Sequence, residues 1–214
     1  MIVIFLGAPG AGKGTQSLRA ANAAGVPHIS TGDIFRENIK NKTELGKLAE
    51  SYISKGALVP DDVTVSLIEK RTHEKDCEKG FILDGFPRTS NQAKLFGRLL
   101  KKDKKELSVV INLDIKDEVL LDRLVKRRVC PKCGASYHLT SLKPKKDGIC
   151  DECGTALVQR EDDREEVILQ RLATYHEQTQ PLINYYKRKK LLVNIDGDRP
   201  VDTILKEVMK VIGS

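Results

Sequence analysis

The sequence predicts an α/β fold in which a parallel β-sheet is covered by helices on both faces. Three observations support this class. Short apolar runs alternate with longer amphipathic runs along the chain. The order of strand, glycine-rich loop and helix stands at the start, and the strand–helix order recurs three more times. The strands are apolar throughout, which is typical of parallel strands buried on both faces.

The first unit of this pattern comprises residues 1–25. The apolar run "MIVIFL" predicts a buried strand, and "GKGTQSLRAANAAG" predicts a helix that ends at Gly25, shortly before Pro27. The start of the chain lacks a basic leader, so we interpret the first run as a strand and not as a signal peptide. A short strand is expected at 28–29.

Three further units complete the expected sheet. Each consists of an apolar strand and the helix that follows it along the chain: 81–83 with 90–102, 107–115 with 116–127, and 191–197 with 200–212. Pro200 lies at the start of the last helix, where its missing N–H costs least. Another helix is expected after Asp162 and Asp163, whose charges suit the first turn; the alternative is that they tie a hinge.

Two stretches break the alternation and predict inserts in the core. The first insert, 30–59, contains two helical patterns. The second insert, 127–163, contains four cysteines and little helical pattern. The core is then expected to comprise 1–29, 60–126 and 164–214.

The composition limits the classes of protein to consider. A chain of 214 residues with 40% apolar content suits one sizeable domain with inserts. No apolar run approaches the roughly 20 residues that cross a bilayer, so we expect no membrane partner. No export signal is recognised, so the cytoplasm is the expected location. The net charge of +7 would suit a polyanion, but aromatic residues make up only 5% and do not interleave with the lysine runs at 101–105 and 187–190. We therefore expect exposed helix ends there, no nucleic-acid partner, and a monomer.

A glycine-rich loop joins the first strand to the first helix. The motif "GAPGAGK" at 7–13 has the flanking strand and helix that a phosphate-binding loop requires. Loop N–H groups and the helix N-terminus favour an anion, and Lys13 adds a point charge. The next residue is Gly14, so a hydroxyl ligand to Mg²⁺ is not expected there. Asp84 is the candidate to hold Mg²⁺ through water; the alternative is that it accepts hydrogen bonds from loop amides.

Four cysteines form two pairs in the second insert. The spacing is Cys-x2-Cys, sixteen residues, Cys-x2-Cys, which lies within the range of zinc ribbons. Cytoplasmic thiols stay reduced, so metal binding is a better interpretation than disulfides. Four thiolates fill a tetrahedron and leave no open position, which predicts structural Zn²⁺ on Cys130, Cys133, Cys150 and Cys153. The alternatives are thiols without metal, an iron–sulfur cluster and a redox pair.

Arginines are placed near both inserts. Arg123 and Arg127 are four residues apart on a predicted helix, which would put them on one face. Guanidinium groups bind phosphate oxygens in bidentate geometry, although any one arginine could instead form a surface ion pair. Four others lie near loops or insert edges: Arg36, Arg88, Arg160 and Arg171. The four histidines lack metal spacing and Cys77 stands alone, so we interpret them as structural.

Several motifs taken together resemble bacterial adenylate kinases. They are "GAPGAGKGTQ", "STGD", "LDGFPRT" followed by Gln92, "RR" before the cysteines and "QREDD" after them, in the order of that family over essentially the whole chain. The resemblance implies reversible phosphoryl transfer from MgATP to AMP, which gives two ADP. It also implies the fold of P-loop nucleoside monophosphate kinases, an AMP-binding first insert and a mobile lid formed by the second insert.

The resemblance also implies roles for individual residues. The catalytic residues are Lys13, Arg88, Arg127, Arg160 and Arg171. The ATP-binding residues are Gly10, Ala11, Gly12, Lys13, Gly14, Thr15, Arg123, Arg127, Ser136, Tyr137 and Arg199, the last through its backbone. The AMP-binding residues are Thr31, Arg36, Ala57, Leu58, Val59, Gly85, Phe86, Pro87, Arg88, Gln92, Arg160 and Arg171. The Gln92 amide offers both a donor and an acceptor, which can pair with an adenine edge.

Two alternatives remain at this point. A kinase for another nucleoside monophosphate, or one that takes GTP as donor, would share most motifs because base choice depends on a few hydrogen bonds. A zinc-ribbon nucleic-acid-binding ATPase would share the phosphate loop, the cysteines and the basic charge. That protein would need a basic and aromatic face on the ribbon, where Tyr137 is the single aromatic residue, and its DNA binding would depend steeply on salt.

Overall fold

Seven β-strands and nine α-helices form the part of the chain that the computed structural model describes, residues 1–213. Ser214, the last residue of the expected core, lies outside the described residues. The strands are β1 (Ile2–Leu6), β2 (His28–Ser30), β3 (Phe81–Asp84), β4 (Val109–Asp114), β5 (Arg127–Val129), β6 (Ser136–His138) and β7 (Leu192–Asp196). The helices are α1 (Lys13–Ala24), α2 (Thr31–Lys40), α3 (Glu44–Ile53), α4 (Asp61–Thr72), α5 (Ser90–Lys102), α6 (Asp117–Val125), α7 (Glu165–Thr174), α8 (Pro181–Arg188) and α9 (Val201–Ile212).

Five strands form one sheet in the order β2-β3-β1-β4-β7, and every neighbouring pair is parallel. The central strand β1 is buried along its whole length. Because successive side chains of a strand point to opposite faces, Ile4 packs into one apolar cluster and Phe5 into another. The prediction of a parallel sheet buried on both faces is confirmed.

Each face of the sheet is covered by helices that contribute apolar side chains. On the face of Ile4 these include Phe96 of α5 and Leu182 of α8. On the face of Phe5 they include Leu120 of α6 and Val208 of α9. No helix of residues 1–213 combines the length and the apolar character needed to cross a membrane.

The loop after β1 requires glycine at its first position. Gly7 has a φ of 139°, and a Cβ there would lie 2.7 Å from the carbonyl oxygen of Leu113 in β4. The loop therefore sits directly on the carboxyl ends of the strands and leads into α1. This is the edge of a parallel sheet at which ligands bind in open α/β folds.

The first insert contains α2 and α3, and both begin with a side-chain cap. Ser30 Oγ accepts a hydrogen bond from Asp33 N at 3.2 Å, and Thr43 Oγ1 accepts one from Gly46 N at 3.0 Å. The two helices are closely packed, since a Cβ on Gly46 would lie 2.1 Å from the carbonyl oxygen of Asn38.

The second insert is built on an antiparallel ribbon of β5 and β6. The expectation that Arg123 and Arg127 share a helix is wrong, because α6 ends at Val125 and Arg127 lies in β5. The backbone of Arg127 pairs with His138 in the ribbon. A residue that pairs in a β-ladder cannot also continue a helix. Arg123 and Arg127 therefore do not share a helical face, although they are four residues apart.

Candidate active site

Lys13 opens α1 and folds back over the phosphate loop. Its Nζ donates to the carbonyl oxygens of Gly7 at 2.7 Å and Ala8 at 2.9 Å. Burial lowers the pKa of Lys13 to about 7, against the opposing effect of Asp84 and with a further lowering by nearby arginines. An anion bound in the loop would favour the charged form of Lys13, so the lysine and a bound phosphate would stabilise each other.

Asp84 ends β3 and faces the same loop. Its side chain is 13% exposed. A Cβ on Gly14 would lie 3.3 Å from Asp84 Oδ2, so glycine keeps the space between the loop and this carboxylate open. A single carboxylate beside bound phosphates is the type of environment that Mg²⁺ uses, with water completing its octahedron.

Arginines from both inserts and the core converge beside the loop. Burial lowers the pKa of Arg88, and the neighbouring Arg171 lowers it further. Burial also lowers the pKa of Arg160 to about 9, with Arg127 and Arg36 adding to the shift. These mutual effects mean that the cations lie close together in a partly desolvated space. Such a cluster attracts a polyanion strongly.

Asp163 holds two members of this cluster in place. The side chain is fully buried. It accepts hydrogen bonds from Arg127 Nε at 2.8 Å and Nη2 at 2.6 Å, and from Arg171 Nη1 at 2.9 Å. Burial raises the pKa of the adjacent Asp162, but Arg171, Arg127 and Arg160 outweigh it and lower the pKa. The acidic pair thus connects the end of the second insert to the core, and the alternative of a hinge tie fits this geometry.

A pocket opens next to the arginines, lined mainly by residues of the first insert and the core. One part of the lining is apolar and belongs to the first insert, with Phe35 and Val59 packed in one cluster. Another part carries guanidinium groups, from Arg36, Arg88 and Arg171. The pocket therefore suits a ligand with an apolar ring at one end and an anion at the other.

Most residues expected to bind AMP line this pocket. They are Thr31, Arg36, Ala57, Leu58, Val59, Gly85, Arg88, Gln92 and Arg171. Phe86 is fully buried and packs edge-to-face on Phe96 at 5.4 Å between ring centroids, so its side chain belongs to the core. Pro87 is buried as well. Arg160 lies with the arginine cluster and not in the lining of the pocket.

The pocket lining contains hydrogen bonds that the sequence did not reveal. Gly85 O accepts from Thr31 Oγ1 and from Arg88 Nε, both at 2.8 Å. Thr179, at the end of a π-helical segment (Tyr175–Thr179), donates to Arg88 O at 2.7 Å. These bonds fix the backbone and the side chain of Arg88. Thr179 is 91 residues distant from Arg88 in sequence, and no local pattern signals such a contact.

The residues expected on the ATP side occupy several elements. Loop residues 10–15 precede or begin α1, and Arg123 donates to Gly197 O at 3.1 Å and Asp198 Oδ1 at 2.7 Å. Arg199 is tied to Glu207 at 2.6 Å, which agrees with a role for its backbone alone.

Ser136 and Tyr137 lie in β6, and the Tyr137 side chain faces the cysteine cluster. The ring packs with Cys130 and Cys150. Its hydroxyl accepts a hydrogen bond from Asp151 N at 2.8 Å and lies 3.5 Å from Cys150 Sγ. The Tyr137 side chain therefore supports the cysteine cluster.

The four cysteine Sγ atoms of the second insert all lie within 4.8 Å of one another. Three of the separations are 3.3 Å (Cys130–Cys153), 3.5 Å (Cys133–Cys150) and 3.6 Å (Cys133–Cys153). A disulfide would require about 2.05 Å. Thiolates around Zn²⁺ at about 2.3 Å are separated by about 3.8 Å, so the cluster fits a tetrahedral metal.

The chemistry that this arrangement can perform needs alignment and positive charge but no protein nucleophile. A phosphate loop at the end of a parallel sheet, beside a cationic pocket, defines a P-loop phosphotransferase that acts on nucleotides. The family model described as adenylate kinase matches residues 5–191. The chain belongs to the adenylate kinase family. It is an enzyme of phosphoryl transfer between ATP and AMP.

Similar proteins cover the chain almost completely. It is 50% identical over 212 residues to the adenylate kinase of Caldanaerobacter subterraneus subsp. tengcongensis. The aligned region covers 99% of this chain and 96% of that protein. It is 51% identical over 213 residues to the adenylate kinase of Caldicellulosiruptor saccharolyticus, and the aligned region covers 100% of this chain and 99% of that protein. The adenylate kinase of Acetivibrio thermocellus is 51% identical over 212 residues, and the aligned region covers 99% of this chain and 98% of that protein. A zinc-ribbon ATPase that binds nucleic acid is therefore not the better interpretation.

Proposed function

We propose that AMP is the preferred acceptor and that it binds in the pocket between the first insert and the core. The observation that carries this proposal is the combination of an apolar lining with three arginines in one pocket. The base would lie against Phe35 and Val59 and reach Gln92. The phosphate would lie at Arg36, Arg88 and Arg171, whose guanidinium groups match phosphate oxygens in geometry and charge.

The donor ATP would bind at the phosphate loop. Loop N–H groups and Lys13 would hold the β and γ phosphates, and Arg123 would lie toward the base. Arg127 and Arg160 would surround the migrating group together with Arg88 and Arg171. Aligned oxygens and neutralised charge supply most of the catalysis in phosphoryl transfer, and the acceptor oxygen of AMP is already ionised. The proposed mechanism therefore assigns no general base to the protein.

Asp84 would hold Mg²⁺ through water next to the phosphate loop. The ion supplies charge neutralisation on the phosphates when it is bound with ATP. The cysteine cluster would hold Zn²⁺ as a structural ion, because four thiolates leave no position for a substrate. We expect the enzyme to act as a cytoplasmic monomer that binds ATP, AMP and ADP, without a membrane or nucleic-acid partner.

The two inserts would close over the substrates. We assign 30–59 to AMP binding, 127–163 to the lid and the remainder of the chain to the core. Support comes from a contact between the inserts, since Lys40 Nζ donates to Pro131 O at 3.3 Å. A closed lid would exclude water, which could otherwise accept the phosphoryl group in place of AMP.

A coupled assay tests the acceptor. Purified protein with ATP and Mg²⁺ is offered AMP, GMP, CMP, UMP and dAMP in turn, and kcat/KM is measured for each. We expect the highest value for AMP. A higher value for UMP or CMP would show that the chain is a kinase for another nucleoside monophosphate. Replacing ATP by GTP in the same assay tests the alternative donor.

A further inference from the structure

Gln92 is held by two hydrogen bonds at the wall of the AMP pocket. The residue is only 1% exposed. Gln92 Oε1 accepts from Arg88 N at 2.7 Å, and Gln92 Nε2 donates to Asp61 Oδ1 at 2.8 Å. Asp61 belongs to the first turn of α4 and lies 31 residues from Gln92 in sequence.

The chemistry of the two partners permits one orientation of this amide. The backbone N–H of Arg88 can only donate, so it requires the carbonyl oxygen of Gln92. The Asp61 carboxylate can only accept, so it requires the amino group. A flip of the amide would place a donor against a donor and an oxygen against a carboxylate. Both bonds would be lost at once.

Asp61 is itself fixed by more than Gln92. Its Oδ2 accepts from Thr89 Oγ1 and from Asn91 Nδ2, both at 2.9 Å. Three donors on a carboxylate that faces the start of α5 leave it little freedom to rotate. The carboxylate therefore holds a fixed position, from which it accepts the hydrogen bond of Gln92 Nε2.

The oriented amide keeps one donor and one acceptor for a ligand. A primary amide has two N–H groups and two oxygen lone pairs, and the protein uses one of each. An adenine edge offers an amino donor at C6 and an acceptor at N1. Hypoxanthine offers the reverse, an oxygen at C6 and a donor at N1. Pairing with hypoxanthine would require the flipped amide that Asp61 and Arg88 oppose.

We propose that Asp61 is a positioning residue that sets the base selectivity of the acceptor site by fixing the orientation of the Gln92 amide. The inference rests on the proposed binding of AMP with its base at Gln92. Asp61 acts through Gln92 and does not itself touch the base. A change at Asp61 should therefore alter the ratio of kcat/KM between two acceptor bases more than it alters kcat with AMP.

The test compares AMP with IMP, the nucleotide of hypoxanthine, as acceptors. Asp61→Asn keeps the shape of the side chain but can donate as well as accept, so residue 61 no longer opposes the flipped amide and Arg88 N alone favours the wild-type orientation. Asp62→Asn is the matched control, because Asp62 is the exposed neighbour in the same turn and loses the same charge. The ratio of kcat/KM for AMP to that for IMP is measured for wild type and both variants, below their melting temperatures.

We expect the AMP-to-IMP ratio to fall about tenfold or more in Asp61→Asn, as befits the loss of a hydrogen bond to a charged group. The ratio in Asp62→Asn should stay within about twofold of wild type. An unchanged ratio in Asp61→Asn, or an equal fall in both variants, overturns the inference. If Asp61→Asn does not fold, Asp61→Ser is measured instead, since its hydroxyl can also donate or accept. A wild-type enzyme that does not favour AMP over UMP and CMP would instead refute the proposed function.

Discussion

The two inserts are of similar length, but they are held together by different interactions. The first insert consists of two helices packed around an apolar cluster of Phe35, Ala49 and Val59. The second insert has a cluster of Cys130, Tyr137 and Cys150. Several of its aliphatic side chains remain exposed, with Leu139, Leu142 and Val158 at 42%, 43% and 44%. The first insert has a hydrophobic centre, whereas the second has a set of thiols.

This difference shows two ways in which a short segment can be ordered. The first insert can bury apolar surface because its helices pack on each other and lead directly into the core. The second insert is too small to bury a core of its own, and below about 40 residues a crosslink or a metal usually replaces one. The difference predicts that each insert can be disrupted without the other.

Removal of the metal should have the largest effect on the second insert. In Cys130→Ser combined with Cys153→Ser we expect loss of zinc, a lower thermal midpoint, and fast hydrogen exchange over 127–163 with little change over 30–59. Zinc binding to zinc-finger peptides is worth about 10–16 kcal/mol, most of which is folding free energy. Much activity should remain at low temperature. Cys77→Ala, outside the cluster, should retain one zinc per chain.

Metal analysis and exchange mass spectrometry check this prediction. An absence of zinc from the wild-type protein would contradict the prediction that the four cysteines bind zinc. Activity that falls in strict proportion to metal content while the fold stays intact would contradict a structural role.

Replacement of the loop lysine should remove activity without disturbing either insert. We expect Lys13→Met to lower kcat by about 10²–10³-fold, as is typical when one donor aimed at developing charge is removed. Hydrogen exchange in both inserts should match wild type. Lys47→Met, which removes an exposed lysine from α3, is the control and should leave kcat unchanged. Activity of Lys13→Met within about threefold of wild type would place this residue outside the reaction site.

Loss of the buried carboxylate at the end of the second insert should have a moderate effect on stability. Asp163→Asn removes the partner of Arg127 and Arg171, whose side chains are 19% and 18% exposed. Removing one partner of a fully buried ion pair costs about 3–5 kcal/mol, and partial exposure of the arginines favours the lower end. At roughly 2–4 °C per kcal/mol, the midpoint should fall by roughly 6–12 °C.

Calorimetry of Asp163→Asn measures this shift, with Asp147→Asn as a control at an exposed position of the same insert. Equal midpoints for the two variants would mean that the carboxylate does not hold the second insert to the core.

The smallest expected effect is a proton taken up with ATP. The pKa of Lys13 is about 7 in the folded protein, below its ordinary value of 10.5. Between these values the unfolded chain binds more protons, so stability should rise with pH over this window. Bound phosphates would restore the charged form, and ATP binding at pH 8 should take up a proton. Titration calorimetry in buffers of different ionisation enthalpy measures this uptake, which should disappear in Lys13→Met.

The fold and the outline of the site could be predicted from local patterns. Alternation of apolar strands with helices indicated the sheet, and "GAPGAGK" indicated the phosphate loop at its edge. The residues that position the site could not be predicted, because their partners are distant in the chain. The sequence does not mark Asp61, because an acid in the first turn of a helix is common. For Asp163 the sequence leaves a helix start and a hinge tie open, because its bonds to Arg127 and Arg171 depend on the folded chain.

Local patterns are enough to predict the parallel α/β class, the phosphate loop, the pairing of the cysteines and the family, because each depends on neighbouring residues or on motifs in linear order. The direction of the Tyr137 side chain, the placement of Arg127 in a ribbon and the orientation of the Gln92 amide are set when the chain folds. These depend on which donors and acceptors meet after folding. Gln92 and Asp61 are 31 residues apart, and Arg127 and Asp163 are 36 apart. No periodicity within a strand or helix encodes pairings over such distances.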